Sequence, residues 1–298
     1  VYERNERYWR PEDAGVARLE LLLIPDETTR LNAIRSGQIQ GATIGTLQIE
    51  QARLSGLNVQ TGVGLEVLHM QINRARSHFG DRRVRQAMNH AIRREAIVRA
   101  LGLGYGEPSV QPFPEGYVAH ADELGRLYYG YDPDRARALL AEAGFPDGFD
   151  ATLKLPPPAY ARRGGEVVAA QLREIGIRLE IIPVEWAQWL EQVFKGKDFD
   201  LTIVSHTEPR DINIYARPDY YFGYGKPEFQ ALMEELNAAT DAEAQNANLR
   251  KAGTMIAEDA VNGYLFQLGK IGVWRAKLKG MWANQPTQAI DLTAVRWV

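Results

Sequence analysis

The order in which strand-like and helix-like segments follow one another constrains the fold of this chain more than any other feature. Short apolar runs bounded by turn residues, such as residues 18–24, are typical of strands and alternate with amphipathic segments typical of helices. The strongest helix pattern starts at Asp81, carries an apolar stripe through Val84 and Met88, and ends at Gly102. Such alternation predicts an α/β protein in which helices flank mixed sheets.

Arginine is frequent along this predicted helix. A basic patch could bind phosphate, or it could be an ordinary solvated face. The arginines are spread around the helix and Glu95 lies close to them, which favours the solvated face. The residues concerned are Arg82, Arg83, Arg85, Arg93 and Arg94.

The composition excludes several classes of protein. A length of 298 residues allows one large domain or two ordinary ones, and a formal net charge of −3 gives no electrostatic footprint for nucleic acid. No run of ~18 apolar residues is present, so no membrane-spanning segment is predicted. The absence of cysteine excludes disulfides, thiolate nucleophiles and cysteine-ligated zinc. The first residues do not read as a signal peptide, and there is no initiating Met.

The stretch from Phe199 to Tyr224 is the best candidate for a functional site. An apolar run ends abruptly in a segment that mixes His206, Glu208 and Asp211 with a cluster of aromatic residues. Polar groups at the end of a buried strand face the open edge of a sheet, and aromatics beside a few fixed charges are typical of a small-molecule or peptide pocket. The alternative is a surface loop whose aromatic side chains only pack on the domain.

A series of motifs resembles the C-terminal part of family 5 extracellular solute-binding proteins, the dipeptide and oligopeptide receptors of ABC importers. The motifs occur in the family's order and extend over nearly the whole chain. They are Asn5-Glu6-Arg7-Tyr8-Trp9, Ile24-Pro25-Asp26-Glu27-Thr28-Thr29-Arg30 with Ile34-Arg35-Ser36-Gly37-Gln38-Ile39, the segment from Phe79 to Ile92, Asp132-Pro133 with the segment from Ala138 to Phe145, Gly176-Ile177, Val184-Glu185-Trp186, Phe199-Asp200 and Pro227-Glu228-Phe229.

The resemblance implies a periplasmic binding protein type II-like fold in which a solute is held between two lobes. Residues 1–71 would form part of the first lobe, whose N-terminal region is missing. Residues 72–275 would form the second lobe and one wall of the ligand cleft, and residues 276–298 would return to the first lobe. The resemblance further implies a non-catalytic, monomeric protein in the periplasm or facing the extracellular space, without cofactor or metal. Its partners would be a small-molecule or peptide solute and a membrane permease, with no role for nucleic acid.

The same resemblance suggests individual site residues. In well-known oligopeptide binders the corresponding segment has a tryptophan followed by an aspartate that pairs with the amino terminus of the peptide. Here His206 stands at the tryptophan and Pro209 at the aspartate, so Glu208 and Asp211 are the nearest carboxylates. We expect those two as charge partners of the solute. The segment further suggests His206, Asn213 and Tyr215 as hydrogen-bonding or stacking groups, although Asp211 could cap a turn and Tyr215 could only pack.

Two other functions are compatible with parts of the sequence. A metal-dependent hydrolase could use His206, Glu208 and Asp211, because imidazole and carboxylate groups bind zinc. The sequence has no His-Glu-x-x-His motif, and its five histidines are scattered along the chain, which disfavours this interpretation. A periplasmic sensor or chaperone-like binding protein of the same fold is the other alternative, and the sequence does not separate it from a transport receptor.

Overall fold

A computed structural model of the chain describes residues 1–13, 15–102, 105–206, 211–281 and 292–298. The chain divides into two compact units, Val1–Val63 with Gly269–Val298 and Gly64–Leu268. The predicted lobe boundaries after residues 71 and 275 remain a prediction. No described helix has both the length and the apolar character that crossing a membrane requires.

The described residues form the expected alternation of strands and helices. The strands are β1 (Tyr2–Glu3), β2 (Arg18–Leu19), β3 (Gly41–Thr43), β4 (Asn58–Ile72), β5 (Gly106–Pro108), β6 (Phe149–Leu155), β7 (Ile177–Pro183), β8 (Leu201–Ser205), β9 (Asn262–Trp274), β10 (Leu278–Lys279) and β11 (Arg296–Trp297). The helices are α1 (Glu27–Ser36), α2 (Ile49–Leu54), α3 (Arg82–Ala91), α4 (Arg94–Gly102), α5 (Asp122–Tyr128), α6 (Pro133–Glu142), α7 (Ala159–Arg173), α8 (Trp186–Gln188), α9 (Pro227–Ala238) and α10 (Ala242–Glu258). A π-helical turn, Trp189–Lys195, continues α8, and a 3₁₀ helix spans Asp211–Ala216.

The first unit contains a helix whose two ends follow the local sequence. Asp26 caps α1 by accepting a hydrogen bond from the backbone N–H of Thr29 at 2.7 Å. The helix ends at Gly37, whose φ of +83° is a left-handed conformation that glycine adopts without steric cost. Strand β3 then pairs antiparallel with the last residues of β9.

The strand predicted for residues 18–24 is wrong beyond Leu19. Only Arg18 and Leu19 pair with a neighbour, strand β1. The following leucines, Leu21 and Leu22, are half-exposed, and Leu23 is almost fully exposed. An apolar run forms a strand only when another strand lies beside it and pairs with its backbone. None of the described strands pairs with residues 20–24.

The second unit contains a mixed sheet, which confirms the predicted α/β class. Strand β6 pairs in parallel with both β7 and β8, and helix α7 connects β6 to β7. Strand β8 pairs antiparallel with the second half of β4, where Met70 lies opposite Ile203. The sheet therefore combines parallel crossovers with an antiparallel neighbour.

Alternation along β4 and β8 separates two cores. Leu68, Met70 and Ile203 belong to one apolar cluster, together with residues of α3, α6 and α7. Val67 and Val204, which point to the other face, belong to a second cluster that is rich in aromatic residues. On that second face the buried residues of the strands include the polar side chains of His69, Gln71 and Thr202.

The long helix predicted from Asp81 to Gly102 is two helices. Helix α3 begins after Asp81, whose carboxylate accepts a hydrogen bond from the backbone N–H of Arg83 at 2.8 Å. It ends at Ile92, where φ is −94° and ψ is 113°, an extended conformation. Helix α4 starts two residues later. Both segments bury apolar residues, so the amphipathic pattern continues across a break that it does not reveal.

The prediction that the arginines of this region form a solvated face is also wrong for Arg85 and Arg94, whose side chains are buried, with the residues 1% and 3% exposed. The guanidinium of Arg85 donates to the carbonyls of Phe79, Gly80, Asp259 and Ala260 at distances of 2.7–3.1 Å. The guanidinium of Arg94 is likewise bonded to backbone carbonyls and to the side chain of an asparagine. Burial lowers the pKa of each guanidinium to about 10, so both remain charged at neutral pH. A planar fork of five donors allows one guanidinium to bond several carbonyls at once.

Candidate functional site

The C-terminal end of β8 carries the predicted site residues. His206 follows the strand directly, and Asp211, Asn213 and Tyr215 lie on the 3₁₀ helix Asp211–Ala216. Glu208 lies outside the described residues. Strand β8 ends at Ser205, one residue after the apolar run stops, and the polar residues that follow leave the sheet at the C-terminal end of this strand.

His206 is the centre of the described part of this site. Its Nε2 lies 3.0 Å from the hydroxyl of Tyr221, and its Nδ1 lies 3.6 Å from Oδ1 of Asp211. Burial raises the pKa of Tyr221 well above its usual value, so the phenol remains protonated and can donate to the imidazole. With Nε2 as acceptor, a neutral His206 carries its proton on Nδ1, facing the carboxylate of Asp211.

A second histidine, His69 on β4, lies against His206. The two rings are nearly parallel, with an interplanar angle of 17° and centroids 5.9 Å apart. Burial is the main cause that holds the pKa of His69 well below its usual value, and the nearby His206 is a second, smaller cause. Nδ1 of His69 lies 3.2 Å from the side-chain amide nitrogen of Gln71, an arrangement that satisfies the neutral ring. These two histidines are 137 positions apart in the sequence, and the pairing of β4 with β8 brings them together.

Three side-chain oxygens at this strand end are buried and have no hydrogen-bond partner among the residues that the structure describes. They are Oγ of Ser205, Oδ1 of Asp211 and Oδ1 of Asn213. Leaving such a group unpaired costs about 1–3 kcal/mol, and most buried polar atoms in proteins avoid it. A concentration of unpaired oxygens in one short segment marks it as a functional candidate, because a local rearrangement or a bound donor would satisfy them.

Tyr215 lies deeper than the other predicted site residues. Its hydroxyl is 2.6 Å from that of Tyr264 and accepts a hydrogen bond from the amide of Asn262 at 2.9 Å. Burial raises the pKa of both phenols, so both remain neutral. The Tyr215 ring also contacts Phe222 and Phe229. These contacts agree with the packing alternative, and a contact of Tyr215 with solute stays a prediction.

Aromatic side chains support this site from within the unit. Tyr220, Tyr221 and Phe222 are buried and contact one another, with ring centroids 5.0–5.4 Å apart. Trp189 packs edge-on against Tyr221 at 5.8 Å, and its indole N–H donates to the hydroxyl of Thr202 at 3.0 Å. The aromatic residues after β8 therefore fix the position of His206 through the Tyr221 hydroxyl.

The described residues contain no group of three or more histidine, cysteine or carboxylate side chains with the spacing of a metal site. The hydrolase hypothesis requires Glu208 as well as His206 and Asp211, and Glu208 lies outside the described part of the chain. The described pair alone offers one imidazole nitrogen and one carboxylate oxygen 3.6 Å apart.

Comparison with solved structures identifies the class of fold. The periplasmic binding protein DppA of Helicobacter pylori, solved with the peptide STSA, superposes with a TM-score of 0.86 at 23% identity over 99% of this chain and 59% of that chain. NikA of Staphylococcus aureus, solved with Ni(L-His)₂, superposes with a TM-score of 0.76 at 18% identity over 87% of this chain and 57% of that chain. At these identities the likeness concerns the fold, which is that of type II periplasmic binding proteins.

The sequence comparison identifies the family. The chain belongs to the bacterial extracellular solute-binding proteins, family 5, because the model of that family's middle region matches residues 1–209. This confirms the family proposed from the motifs.

Curated relatives bind several kinds of solute according to their names. Heme-binding protein A of Haemophilus influenzae is 29% identical over 207 residues, and the dipeptide-binding protein of Escherichia coli is 26% identical over 207 residues. Each match covers 66% of this chain and 37% of the relative. The glutathione-binding protein GsiB of Salmonella choleraesuis is 30% identical over 198 residues, which is 64% of this chain and 37% of that protein. The matched part of the chain thus spans 37% of the length of each of these relatives.

Proposed function

We propose that this chain is part of a non-catalytic solute receptor of an ABC importer. The receptor binds a small extracellular solute, a di- or oligopeptide, between two lobes and delivers it to a membrane permease. Family membership over residues 1–209 is the observation that carries this proposal. The protein acts in the periplasm or facing the extracellular space, and its partners are the solute and the permease.

The proposed contacts lie at the end of β8. Asp211 supplies a carboxylate whose Oδ1 makes no hydrogen bond to the described residues, and Asn213 supplies a carbonyl oxygen in the same condition. His206 supplies an imidazole that Tyr221 orients. An ionised carboxylate oxygen and an amide carbonyl oxygen only accept hydrogen bonds. The Asp211 and Asn213 oxygens therefore suit donors on the solute, such as the amino groups of a peptide. Glu208 and Tyr215 complete the proposed set on the basis of the family resemblance.

Peptide is the solute class that several observations favour together. Relatives named for dipeptide binding match the sequence, and the DppA structure holds a peptide. Heme, glutathione and nickel also occur among the names of similar proteins. Mass spectrometry of the molecule that co-purifies with the whole protein distinguishes these classes directly.

Calorimetric titration of the whole protein with defined di- and tripeptides tests the site. Asp211→Asn and Glu208→Gln should each weaken peptide binding by about 1 kcal/mol or more, because each removes a charged partner. Asp219→Asn is the matched control, since Asp219 is exposed on the turn after the 3₁₀ helix. Unchanged affinity in both site variants would contradict the assignment. Unimpaired solute uptake after deletion of the gene would instead favour a sensor or chaperone-like role.

A further inference from the structure

A hollow of about 480 Å³ in the first unit has a distinctive lining. Its walls come from the end of α1, the turn after α2, the turn between β9 and β10, and β11. All of its lining residues belong to the first unit, whereas the candidate solute contacts belong to the second. A volume of this size is within the range of about 300–1,000 Å³ typical of small-molecule pockets.

The hollow is strongly cationic. Arg35, Arg275 and Lys277 line it, and none of its described lining residues carries a carboxylate side chain. The side chain of Arg35 donates to Oδ1 of Asn32 at 3.3 Å. Neither the guanidinium of Arg275 nor the ammonium of Lys277 has a hydrogen bond or ion pair in the described part of the chain. The like charges that line this hollow repel one another, and a bound anion would offset that repulsion.

The C-terminal ends of nearby helices offset only part of this positive charge. Arg35 lies in the last turn of α1, and a Cβ at Gly37 would come within 2.7 Å of Nη1 of Arg275, so that guanidinium also lies against the end of α1. The C-terminal end of a helix carries about −0.5 of an elementary charge, so the C-terminal ends of α1 and α2 together provide at most about −1. The three cations therefore outweigh the partial negative charge of these two helix ends. A bound anion would offset that excess of positive charge.

Hydrogen bonds fix the wall that carries the two unpaired cations. The side-chain amide of Asn58 donates to the carbonyls of Arg275 and Ala276 at 3.4 and 3.3 Å. The carbonyl of Lys277 accepts from the backbone N–H of Val298 at 2.9 Å. The backbone that presents Arg275 and Lys277 is thus held in place before any ligand arrives, which reduces the entropy lost on binding.

The remainder of the lining is apolar. Leu54, Leu57 and Trp297 line the hollow beside the cations, and Leu54 and Trp297 are exposed. Side chains of this kind accommodate an apolar or aromatic portion of a ligand. This combination of cationic and apolar side chains fits a molecule in which a phosphate is attached to an apolar group.

We propose that this hollow binds a phosphate monoester, with Arg275 and Lys277 contacting the phosphate and with Leu54, Leu57 and Trp297 contacting the attached group. The site is additional to the proposed solute site. A phosphate monoester of this type occurs both as a soluble molecule and as the headgroup of phosphatidic acid, and the two sources share the chemistry that the hollow recognises.

The test uses the whole protein and two kinds of probe. Calorimetry with phenyl phosphate and with inorganic phosphate measures the soluble source, and phenol is the uncharged reference. Sedimentation with phosphatidylcholine vesicles, with and without phosphatidic acid, measures the lipid source. We expect phenyl phosphate to bind more tightly than inorganic phosphate, with no binding of phenol. Selective binding to vesicles with phosphatidic acid would also support the proposal and assign the lipid source.

A double variant and its matched control decide whether the hollow is responsible. Arg275→Gln with Lys277→Gln should weaken binding of the phosphate probe about ten-fold or more, because two charge-assisted contacts are lost. Arg163→Gln with Lys251→Gln removes the same charge from exposed positions of the second unit and should leave binding unchanged. The proposal is overturned if neither probe binds, or if both double variants weaken binding equally.

Discussion

The imidazole of His69 lies nearly parallel to that of His206, with ring centroids 5.9 Å apart, and burial keeps the His69 ring neutral. The pairing of β4 with β8 creates this relationship, because Val204, close to His206 in sequence, lies opposite His69 in the sheet. The strand pairing thus places a buried neutral histidine beside His206, one of the proposed solute contacts.

Stability should fall in mild acid because of His69. Its pKa in the folded protein is lower than the value of about 6.5 for an unfolded histidine, so the unfolded chain binds the proton more readily. The free energy of unfolding should therefore decrease as the pH falls below about 6.5, by up to about 1.4 kcal/mol per pH unit. Urea unfolding at pH 7.5 and 5.5 measures this slope. His69→Gln should flatten it, whereas His78→Gln, at a ring stacked on Phe149, should retain it.

Arg85 should be essential for stability although it is charged. Replacing it with methionine keeps much of the apolar volume but leaves four backbone carbonyls without their donor. We expect Arg85→Met to lower the free energy of unfolding by about 3 kcal/mol. Arg82→Met, on the exposed side of the same helix, should change it by less than about 0.5 kcal/mol. Equal effects in urea titrations would contradict the role of the guanidinium.

The turn before β6 should tolerate no side chain. Gly148 has a φ of +73°, and a Cβ there would lie 1.9 Å from the carbonyl oxygen of Gly176. Gly144 has a φ of +93°, and a Cβ added there would meet nothing within 4 Å. Gly144→Ala therefore measures the conformational strain alone, about 1–2 kcal/mol. Gly148→Ala should lower the unfolding free energy by distinctly more, and a similar loss in both variants would show that the contact with Gly176 is unimportant.

The hydrogen bond between Trp189 and Thr202 should contribute to the stability of the site's aromatic support. Thr202→Val preserves the shape of the side chain but leaves the buried indole N–H unpaired, which should cost about 1–3 kcal/mol. With Trp189→Phe as background, the same threonine change should cost much less. A double-mutant cycle in urea unfolding measures the difference, and full additivity of the two changes would exclude a direct interaction.

The sequence by itself determined the start and end of several elements. Asp81 begins a helix as predicted, and in α1 the cap at Asp26 and the left-handed φ of Gly37 likewise depend on neighbouring residues. The alternation of strands and helices also predicted the α/β class. These features depend on residues that are close together in the chain, so the local pattern contains the information.

Only the tertiary structure decided which side chains meet. Arg85 is buried because carbonyls of Asp259 and Ala260 lie beside its helix, and no local pattern reveals that neighbour. Leu21 and Leu22 remain unpaired because no described strand lies beside them, although their sequence favours a strand. His69 and His206 come together through strand pairing.

The same distinction separates the two candidate sites. The end of β8 could be predicted as a site because its polar residues follow one apolar run in the sequence. The cationic hollow could not, because Arg35, Arg275 and Lys277 come from opposite ends of the chain and become neighbours only in the folded unit. Local sequence determines helix caps and turns, whereas packing between distant segments determines the charge and shape of a pocket.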